Sequence, residues 1–296
     1  GGGIYGRRFG ADGFALGDEF QVHTLTGGDQ VLPSVAVNGD GSFVVTWGSE
    51  AGEGGIHAQR FDSTGAMLGG EVQISEFGSR NQAQPEVARS ANGNYVVVWT
   101  DAVRDDDVSS AVYAQVFDSN NNAISGEIQV NETTERDQLS PSVSIDDLGR
   151  FIIVWTSQEL DQDDNLVATI RGRRFDENGG PLSSEFQVTD GQVYAFAQAD
   201  VDLDPLSGGW TVAWKDETAG FNAVVRASVF DSNGAPQTIE FDPLLASDRF
   251  QIGSARPRVA YSESGEFAIV AAIGFEEQGF FFSSQVLARL FNSDGS

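Results

Sequence analysis

The stretch IHAQRFDSTG (residues 56–65) opens a unit that recurs along the chain and closes with the run YVVVW (95–99). Between them lie EVQI (71–74), which alternates polar and apolar residues, and PEVA (85–88), which begins with proline. Alternation of this kind between turns rich in Gly, Asn and Asp is typical of half-buried β-strands. One unit is therefore predicted to hold four strands and almost no helix.

The phenylalanine that ends the first strand of the unit recurs at intervals of 52, 56, 58, 55 and 61 residues. Repeats with four strands each are typical of propellers, in which every four-stranded sheet buries its faces against its neighbours. We predict an all-β protein, a five-bladed β-propeller of four-stranded antiparallel blades with repeats of about 56 residues. No linker interrupts the repeat, so residues 1–296 are expected to form a single propeller domain, a fragment of a longer protein. The recurring phenylalanines are Phe9, Phe61, Phe117, Phe175, Phe230 and Phe291.

The strands at the two ends of the chain predict how the ring closes. The strands predicted at residues 4–9 and 19–22 have no inner strands of their own. The last unit has inner strands, which include residues 267–271, and the N-terminal strands could complete that blade. We expect the N-terminal strands to close the ring in this shared blade, which leaves residues 286–291 as a surplus strand. A surplus strand has unpaired backbone groups and is expected to join a further module or a neighbouring copy.

Several positions of the repeat carry structural expectations. The small residue within the first strand, Ala58 in the quoted unit, is predicted to mark the close approach of an adjacent sheet. His57 stands where other units have Tyr or Arg, which indicates a surface strand residue rather than a general base. The aspartates that follow the phenylalanines are expected to form turns by accepting backbone N–H bonds: Asp62, Asp118, Asp176 and Asp231. The recurring glutamates are expected to link one blade to the next: Glu19, Glu71, Glu127, Glu185 and Glu240.

The composition restricts the partners of the protein. A net charge of −27 repels nucleic acid and anionic membranes, so nucleic acid is excluded as a partner. The chain has no apolar run of about 18 residues, which argues against membrane insertion. It has no cysteine either, so disulfides and thiolate chemistry are excluded.

Two runs of carboxylates are candidate Ca²⁺ sites. Carboxylate oxygens that are close in sequence are the hard ligands that Ca²⁺ prefers. Neither run follows the EF-hand pattern, so solvated loop tips are the alternative. The candidate metal ligands are Asp105, Asp106, Asp107, Asp161, Asp163 and Asp164.

The long connections between the predicted strands are expected to share one face of the propeller. Because rigid scaffolds carry function on variable loops, we interpret this face as the recognition surface. Its segments are residues 49–55, 101–110, 157–168 and 216–223.

Catalytic motifs are scarce. The two histidines, His23 and His57, belong to different strands of the repeat, and no serine lies in a Gly-x-Ser-x-Gly elbow. A glycosidase needs a pair of carboxylates, and a catalytic carboxylate should be an exception to the repeat, unlike the recurring glutamates. No catalytic residue is assigned from the sequence.

The repeat as a whole resembles repeats in very large secreted or surface-attached bacterial proteins, over residues 4–291. Those proteins often carry RTX-type calcium-binding or cadherin-like modules. The resemblance implies an extracellular or cell-surface location, calcium dependence and an adhesin-like role, and it transfers no catalytic residue. The fourth unit departs most from the pattern, in residues 193–201.

Two classes of function are compatible with the sequence. The favoured interpretation is a noncatalytic binding or structural module of a bacterial surface assembly, whose long-loop face binds an extracellular glycan, a protein ligand or neighbouring copies. The alternative is a carbohydrate-active propeller enzyme of the glycoside hydrolase type. Non-repeating carboxylates in a deep pocket would favour the enzyme, and a flat or plugged face would favour the binding module.

Overall fold

The computed structural model confirms that the protein is all-β. Within the residues it describes, the chain forms 23 β-strands and no helix, and hence no helix able to cross a membrane. The described residues are 2–50, 54–76, 82–102, 109–216, 224–241, 243, 251–252, 256–277 and 280–296.

The chain divides into two compact units, of which the first comprises Gly1–Gln129. Here β1 and β2 form a two-stranded sheet, and two four-stranded antiparallel sheets follow, β3–β6 and β7–β10, each in sequence order. The strands are β1 (Tyr5–Gly6), β2 (Phe20–Gln21), β3 (Gln30–Val37), β4 (Phe43–Ser49), β5 (Gly55–Phe61), β6 (Val72–Gln73), β7 (Gln82–Arg89), β8 (Tyr95–Ala102), β9 (Ser110–Phe117) and β10 (Ile128–Gln129).

The second unit comprises Val130–Ser296. It contains the sheet β11–β14, to which β15 adds beside β13, the sheet β16–β19, and a last sheet in which β20, β21 and β23 all pair with β22. The strands are β11 (Gln138–Ile145), β12 (Phe151–Leu160), β13 (Leu166–Phe175), β14 (Phe186–Gln187), β15 (Val193–Tyr194), β16 (Ala199–Leu203), β17 (Trp210–Asp216), β18 (Val224–Phe230), β19 (Pro236–Phe241), β20 (Gln251–Ile252), β21 (Arg258–Tyr261), β22 (Phe267–Glu277) and β23 (Phe280–Phe291).

Within the sheets, the predicted order of strands is confirmed. The proline-containing strand is innermost, the Trp-ended strand is second, the strand ending in Phe is third and the short strand is outermost, as in β3-β4-β5-β6. The second strand is buried on both faces, which explains its continuous apolar run: residues 95–101 of β8 are all buried. The aromatic residue that begins this strand stacks on the phenylalanine that ends the third, as Phe43 does on Phe61 with ring centroids 4.7 Å apart.

The inner strands share an irregularity that the sequence analysis did not foresee. Pairing with the second strand shifts register just before the proline, at Val31/Ser34 in β3 and Leu139/Ser142 in β11. The residue before each proline, Leu32 or Ser140, adopts a positive φ of 54° or 52°. Since proline has no N–H to donate to the ladder, a bulge at this position is the natural result.

The predicted ring closure by the N-terminal strands is wrong. The edge of β22 that residues 4–9 were expected to complete is paired with β23, in a register that matches Phe267 with Phe291 and Ala271 with Leu287. Residues 286–291 are therefore not a surplus strand, because they are the third strand of the last sheet. Among the described residues, β1 pairs only with β2.

The short N-terminal sheet covers only part of the next sheet. Ile4 and Val22 pack with Phe43 and Trp47 in one buried cluster. Val35, on the innermost strand, is 58% exposed, whereas its counterparts Val87, Val201 and Val259 are 8%, 4% and 6% exposed. An open cavity of about 520 Å³ lies beside it, lined mainly by apolar side chains of β1–β4.

The small residue of the third strand has a different cause from the one predicted. In two sheets it is glycine, and its cross-strand neighbour is phenylalanine: Gly6 with Phe20, and Gly172 with Phe186. A Cβ on Gly172 would lie 2.9 Å from Cζ of the Phe186 ring. Where the residue is alanine, the neighbour varies: Val72 is opposite Ala58, and Phe241 is opposite Ala227. In the two sheets with glycine, the cross-strand phenylalanine of the same sheet therefore limits the size of this residue.

This pairing predicts a compensating pair of substitutions. Gly172→Ala is expected to destabilise the protein by about 1–3 kcal/mol, because the new methyl group displaces the Phe186 ring in a packed sheet. Adding Phe186→Val should recover part of that loss, because the pair then matches Ala58 and Val72. Urea unfolding of the two single variants and the double variant measures the coupling. Purely additive losses would contradict this explanation.

Candidate functional site

Polar side chains on the innermost strands join neighbouring sheets within each unit. In the first unit, the Ser34 hydroxyl donates to Glu86 Oε2 at 3.0 Å and accepts the backbone N–H of Val87 at 3.3 Å. In the second unit, Ser142 Oγ donates to Asp200 Oδ1 at 3.0 Å, and Ser144 Oγ donates to Asp202 Oδ1 at 2.7 Å. The same two positions of the repeat thus connect one inner strand to the next.

Asp200 and Asp202 also reach the strand that follows. Asp200 Oδ2 accepts the backbone N–H of Val259 at 2.8 Å, and Asp202 Oδ2 accepts that of Tyr261 at 2.8 Å. Nη1 of Arg258 lies 3.1 Å from Asp200 Oδ1. The two carboxylates of β16 therefore connect β11, β16 and β21, and they form the densest polar cluster on the inner strands.

Asp202 is an exception to the repeat. Residues 199–202 read ADVD, where the other units have PSVA, PEVA, PSVS and PRVA, so Glu86 places a carboxylate at the position of Asp200 in an earlier unit. The departure of this stretch from the pattern is visible in the sequence, but the sequence alone does not mark its carboxylates as a site. The signal that could have found Asp202 is the one required of a catalytic acid, a carboxylate at a position that the repeat does not prescribe.

Burial raises the pKa of both carboxyl groups above the ordinary aspartate value. For Asp200, the charges of Arg256 and Arg258 oppose that effect. For Asp202, the opposing contributions are hydrogen bonds, first that from the N–H of Tyr261, and the neighbouring Asp200 raises its pKa further.

The remaining described carboxyl groups with a perturbed pKa are shifted in the opposite direction, because they accept several hydrogen bonds. Two neighbouring carboxyl groups in unequal electrostatic surroundings can hold different protonation states at one pH, which is the basis of paired acid and base chemistry. On β16 the surroundings are unequal, because the charges of Arg256 and Arg258 oppose burial at Asp200, whereas hydrogen bonds are the main contributions that oppose it at Asp202.

Three of the five recurring glutamates, Glu71, Glu127 and Glu185, have the linking role that the sequence predicted. Glu71 Oε2 accepts hydrogen bonds from the N–H and hydroxyl of Thr24, each at 2.7 Å. Glu127 accepts the N–H of Glu76 at 2.7 Å, and Glu185 accepts that of Glu132 at 2.7 Å. Each carboxylate joins the outer strand of one sheet to the segment that follows the outer strand of the preceding sheet.

His57 is not a surface residue as predicted. It is 5% exposed, and its Nδ1 lies 3.0 Å from Glu71 Oε1. Arg171 occupies the same position in another sheet and contacts Glu185 at 2.6 Å. In these two sheets the residue at this position therefore pairs with the recurring glutamate, and His57 serves this structural pair.

The turns after the phenylalanines are as predicted. Asp62 Oδ1, for example, accepts the backbone N–H groups of Thr64 and Ala66 at 2.8 and 3.0 Å. Asp118, Asp176 and Asp231 accept the equivalent pairs of N–H groups.

One of the two predicted calcium runs can be located. Asp161 Oδ1 accepts the N–H groups of Asp163 and Asn165 at 2.8 and 2.9 Å, and Asp164 adopts a positive φ of 61°. This is the same turn as at Asp62, here at the tip of the β12–β13 hairpin. The other run, Asp105, Asp106 and Asp107, lies outside the described residues. No group of three or more acidic or histidine side chains suited to a metal ion occurs in the described part of the chain, and Ca²⁺ binding stays a prediction.

The predicted long-loop face is only partly described. Residues 157–168 are not a loop, because β12 and β13 stay paired up to Leu160 and Leu166 at the hairpin tip. Much of the other three segments, residues 51–53, 103–108 and 217–223, lies outside the described residues.

Comparison with known proteins finds similar structures but no similar sequences. No family model and no curated protein matches the sequence. The structure resembles an α-L-arabinofuranosidase from Fusarium graminearum in complex with an iminosugar inhibitor, with a TM-score of 0.59, 10% identity and coverage of 93% of this chain and 81% of that one. It also resembles a thermostable family-43 glycoside hydrolase, with a TM-score of 0.51, 12% identity and coverage of 85% and 91%. A protein of unknown function from Dyadobacter fermentans gives a TM-score of 0.57, 11% identity and coverage of 90% and 80%.

These similarities establish the fold class and correct two expectations. The protein has the fold of the five-bladed β-propellers with four-stranded antiparallel blades, as predicted. The resemblance to RTX-associated adhesin repeats is wrong, because the similar structures include glycoside hydrolases instead. The expectation of a noncatalytic adhesion module is wrong on the same ground.

The buried pair of His57 and Glu71 predicts a pH effect on stability. Burial lowers the pKa of His57 below its ordinary value, although Glu71 opposes this. The unfolded chain therefore takes up the proton more readily. The contribution is fully present above the unfolded pKa of about 6.5 and is lost as pH falls through that value towards the folded pKa. His57→Gln keeps a hydrogen-bond donor and removes the titration.

Urea unfolding at about pH 7.5 and about pH 5.5 tests this effect. The stability of the wild type relative to His57→Gln should decrease at the lower pH. The histidine His23 is common to both proteins and cancels in the comparison. An equal difference at both pH values would contradict the prediction.

The calcium prediction is tested by thermal unfolding. An ion that binds only the folded state raises the melting temperature by mass action. The melting temperature in millimolar Ca²⁺ is therefore expected to exceed that in EDTA, and Asp161→Asn should reduce the difference if the hairpin tip holds the ion. Superimposable curves for the wild type would mean that both acidic runs are solvated turns.

Proposed function

We propose that the protein is a carbohydrate-active propeller enzyme, a glycoside hydrolase that acts on a neutral glycan. The observation that carries this proposal is the pair of carboxyl groups on β16, the buried Asp200 and the partly buried Asp202, both with a raised pKa. Glycoside hydrolysis needs one carboxyl group that keeps its proton and one that is ionised. The similar structures support the proposal because they include an arabinofuranosidase and a family-43 hydrolase.

The surroundings of the two groups assign their roles. Asp200 is assigned as the base or nucleophile, because Arg258 contacts its carboxylate directly and the charge of Arg256 opposes the effect of burial on its pKa. Asp202 is assigned as the proton donor, because burial and the neighbouring carboxylate both raise its pKa. Protonation of the glycosidic oxygen by Asp202 would start cleavage, and the Asp200 carboxylate would act as base or nucleophile.

The remaining expectations fit this proposal. A glycan is the ligand, and an arabinofuranosyl glycan is the first substrate to test, given the named similar enzyme. We retain an extracellular location as part of the proposal, because polysaccharide substrates lie outside the cell and a cysteine-free acidic chain suits that environment.

A hydrolysis assay tests the proposal. Nitrophenyl α-L-arabinofuranoside and soluble arabinan are expected to be cleaved, and Asp202→Asn should lower kcat/KM by about 10²- to 10⁴-fold because it removes the proton donor. Asp200→Asn should have an effect of similar size. The acidic limb of the pH profile should be altered in Asp200→Asn, because the base no longer titrates.

The matched control is Asp231→Asn, an equivalent substitution in an exposed turn where asparagine can accept the same hydrogen bonds. It should retain full activity. Because Asp200 and Asp202 also join three strands, each variant is compared with the wild type by its circular dichroism spectrum and melting temperature. Folded variants that keep wild-type activity, or a wild type without activity on any glycoside tested, would contradict the proposal.

A further inference from the structure

The segment that leads into the carboxylate-bearing strand differs from its counterparts. It reads VYAFAQ (residues 193–198), whereas the corresponding stretch in an earlier repeat, NETTERD (131–137), is polar throughout. Buried and exposed side chains alternate along it. The buried residues Val193, Ala195 and Ala197 are 4%, 3% and 2% exposed, and the aromatic residues between them, Tyr194 and Phe196, are 43% and 58% exposed.

Two side chains of β12 donate hydrogen bonds to the backbone of this segment. The carbonyl of Ala195 accepts a hydrogen bond from Nε2 of Gln158 at 2.9 Å, and that of Ala197 accepts one from the hydroxyl of Thr156. Both donors are buried side chains of β12. At its start, the segment pairs with β13 as β15, with Tyr194 opposite Val167. The two exposed rings are therefore carried on a fixed backbone and lose little freedom when a ligand binds.

The rings of Tyr194 and Phe196 form a small, angular apolar surface. Their centroids are 5.7 Å apart and their planes are inclined by 64°. A sugar ring presents a flat face of C–H groups to an aromatic ring, and its hydroxyl groups remain at the rim. Two exposed aromatic rings in contact with each other offer a continuous apolar surface to a ligand.

The charges nearby select the class of ligand. Glu159 and Asp161 belong to the adjacent hairpin, where Nε2 of Gln192 contacts Glu159 Oε1 at 3.4 Å. Together with the net charge of −27, they disfavour nucleic acid, anionic membranes and acidic proteins. A neutral glycan has no charge to be repelled, and its hydroxyl groups can donate to these carboxylates.

We propose that Tyr194 and Phe196 form a sugar-binding platform for a neutral glycan chain. Ala197, the last buried residue of the platform, lies two positions before Ala199, where β16 begins. The platform thus adjoins the end of the strand where Asp200 lies, and it holds the glycan beside the two carboxyl groups. Its role in hydrolysis rests on the proposed function, whereas its affinity for the glycan does not.

Affinity electrophoresis of the full chain tests the platform. Native gels cast with soluble arabinan or arabinoxylan should retard the wild type. The double variant Tyr194→Ser, Phe196→Ser should bind at least about tenfold more weakly, because both aromatic contacts are lost. The control is Leu206→Ser, which removes another apolar side chain of the second unit that is 70% exposed, and it should be retarded like the wild type. Melting temperatures confirm that all three proteins are folded.

The outcomes separate this proposal from the proposed function. Retardation that survives in Asp202→Asn and disappears in the double variant supports the platform, even if no glycoside is hydrolysed. Equal retardation of the wild type and the double variant would overturn it, as would the absence of retardation by both polysaccharides. Binding of the wild type to an unrelated protein column instead, lost in the double variant, would identify a protein contact and would also overturn it.

Discussion

The structure depends on carboxylates that accept backbone N–H groups of a neighbouring sheet. A four-stranded sheet with two apolar faces cannot be stable alone and must bury both faces against its neighbours. At the outer edge the recurring glutamates, such as Glu185, make the connection to the preceding sheet, and at the inner edge Asp200 and Asp202 reach the following one. Charge-assisted hydrogen bonds of this kind are directional, so they fix the spacing and rotation of the sheets while dispersion and burial supply most of the stability.

The carboxyl groups at the outer and inner edges of the sheets differ in the direction of their pKa shift. Glu71 and Glu185 each accept several hydrogen bonds, and these outweigh burial and lower the pKa, so the groups stay ionised. On β16, burial dominates and raises the pKa. The same kind of connection between strands therefore holds two carboxyl groups with a raised pKa, on the only inner strand of the repeat that carries aspartate at both positions. In the proposed function, the hydrogen bonds that join the strands also hold these two carboxyl groups in place.

Much of the fold could be predicted because each repeat contains four strand-like segments in the same order. The segment that ends in Trp is apolar throughout, which predicts that it is buried on both faces. The strand that completes the last sheet could not be predicted. Residues 4–9 and 286–291 have similar sequences, so the sequence alone does not determine which of them pairs with β22. The glycine at position 172 was attributed to the wrong neighbour, because its constraint is a cross-strand ring, Phe186, fourteen positions away. The stretch at residues 199–202 was visible as a departure from the repeat, but only the structure reveals that burial distinguishes Asp200 and Asp202 from the many solvated aspartates.

The central claim, that burial raises the pKa of the carboxyl groups of β16, can be measured directly. Carbon-13 NMR of the protein labelled at its aspartate carboxyl groups, titrated from acidic to neutral pH, reports the pKa of each group, and Asp200→Asn and Asp202→Asn assign the two resonances. The account predicts that both groups titrate above the ordinary aspartate value of about 3.9. If both groups titrate at or below that value, they are ionised links between sheets and nothing more, and the proposed chemistry fails.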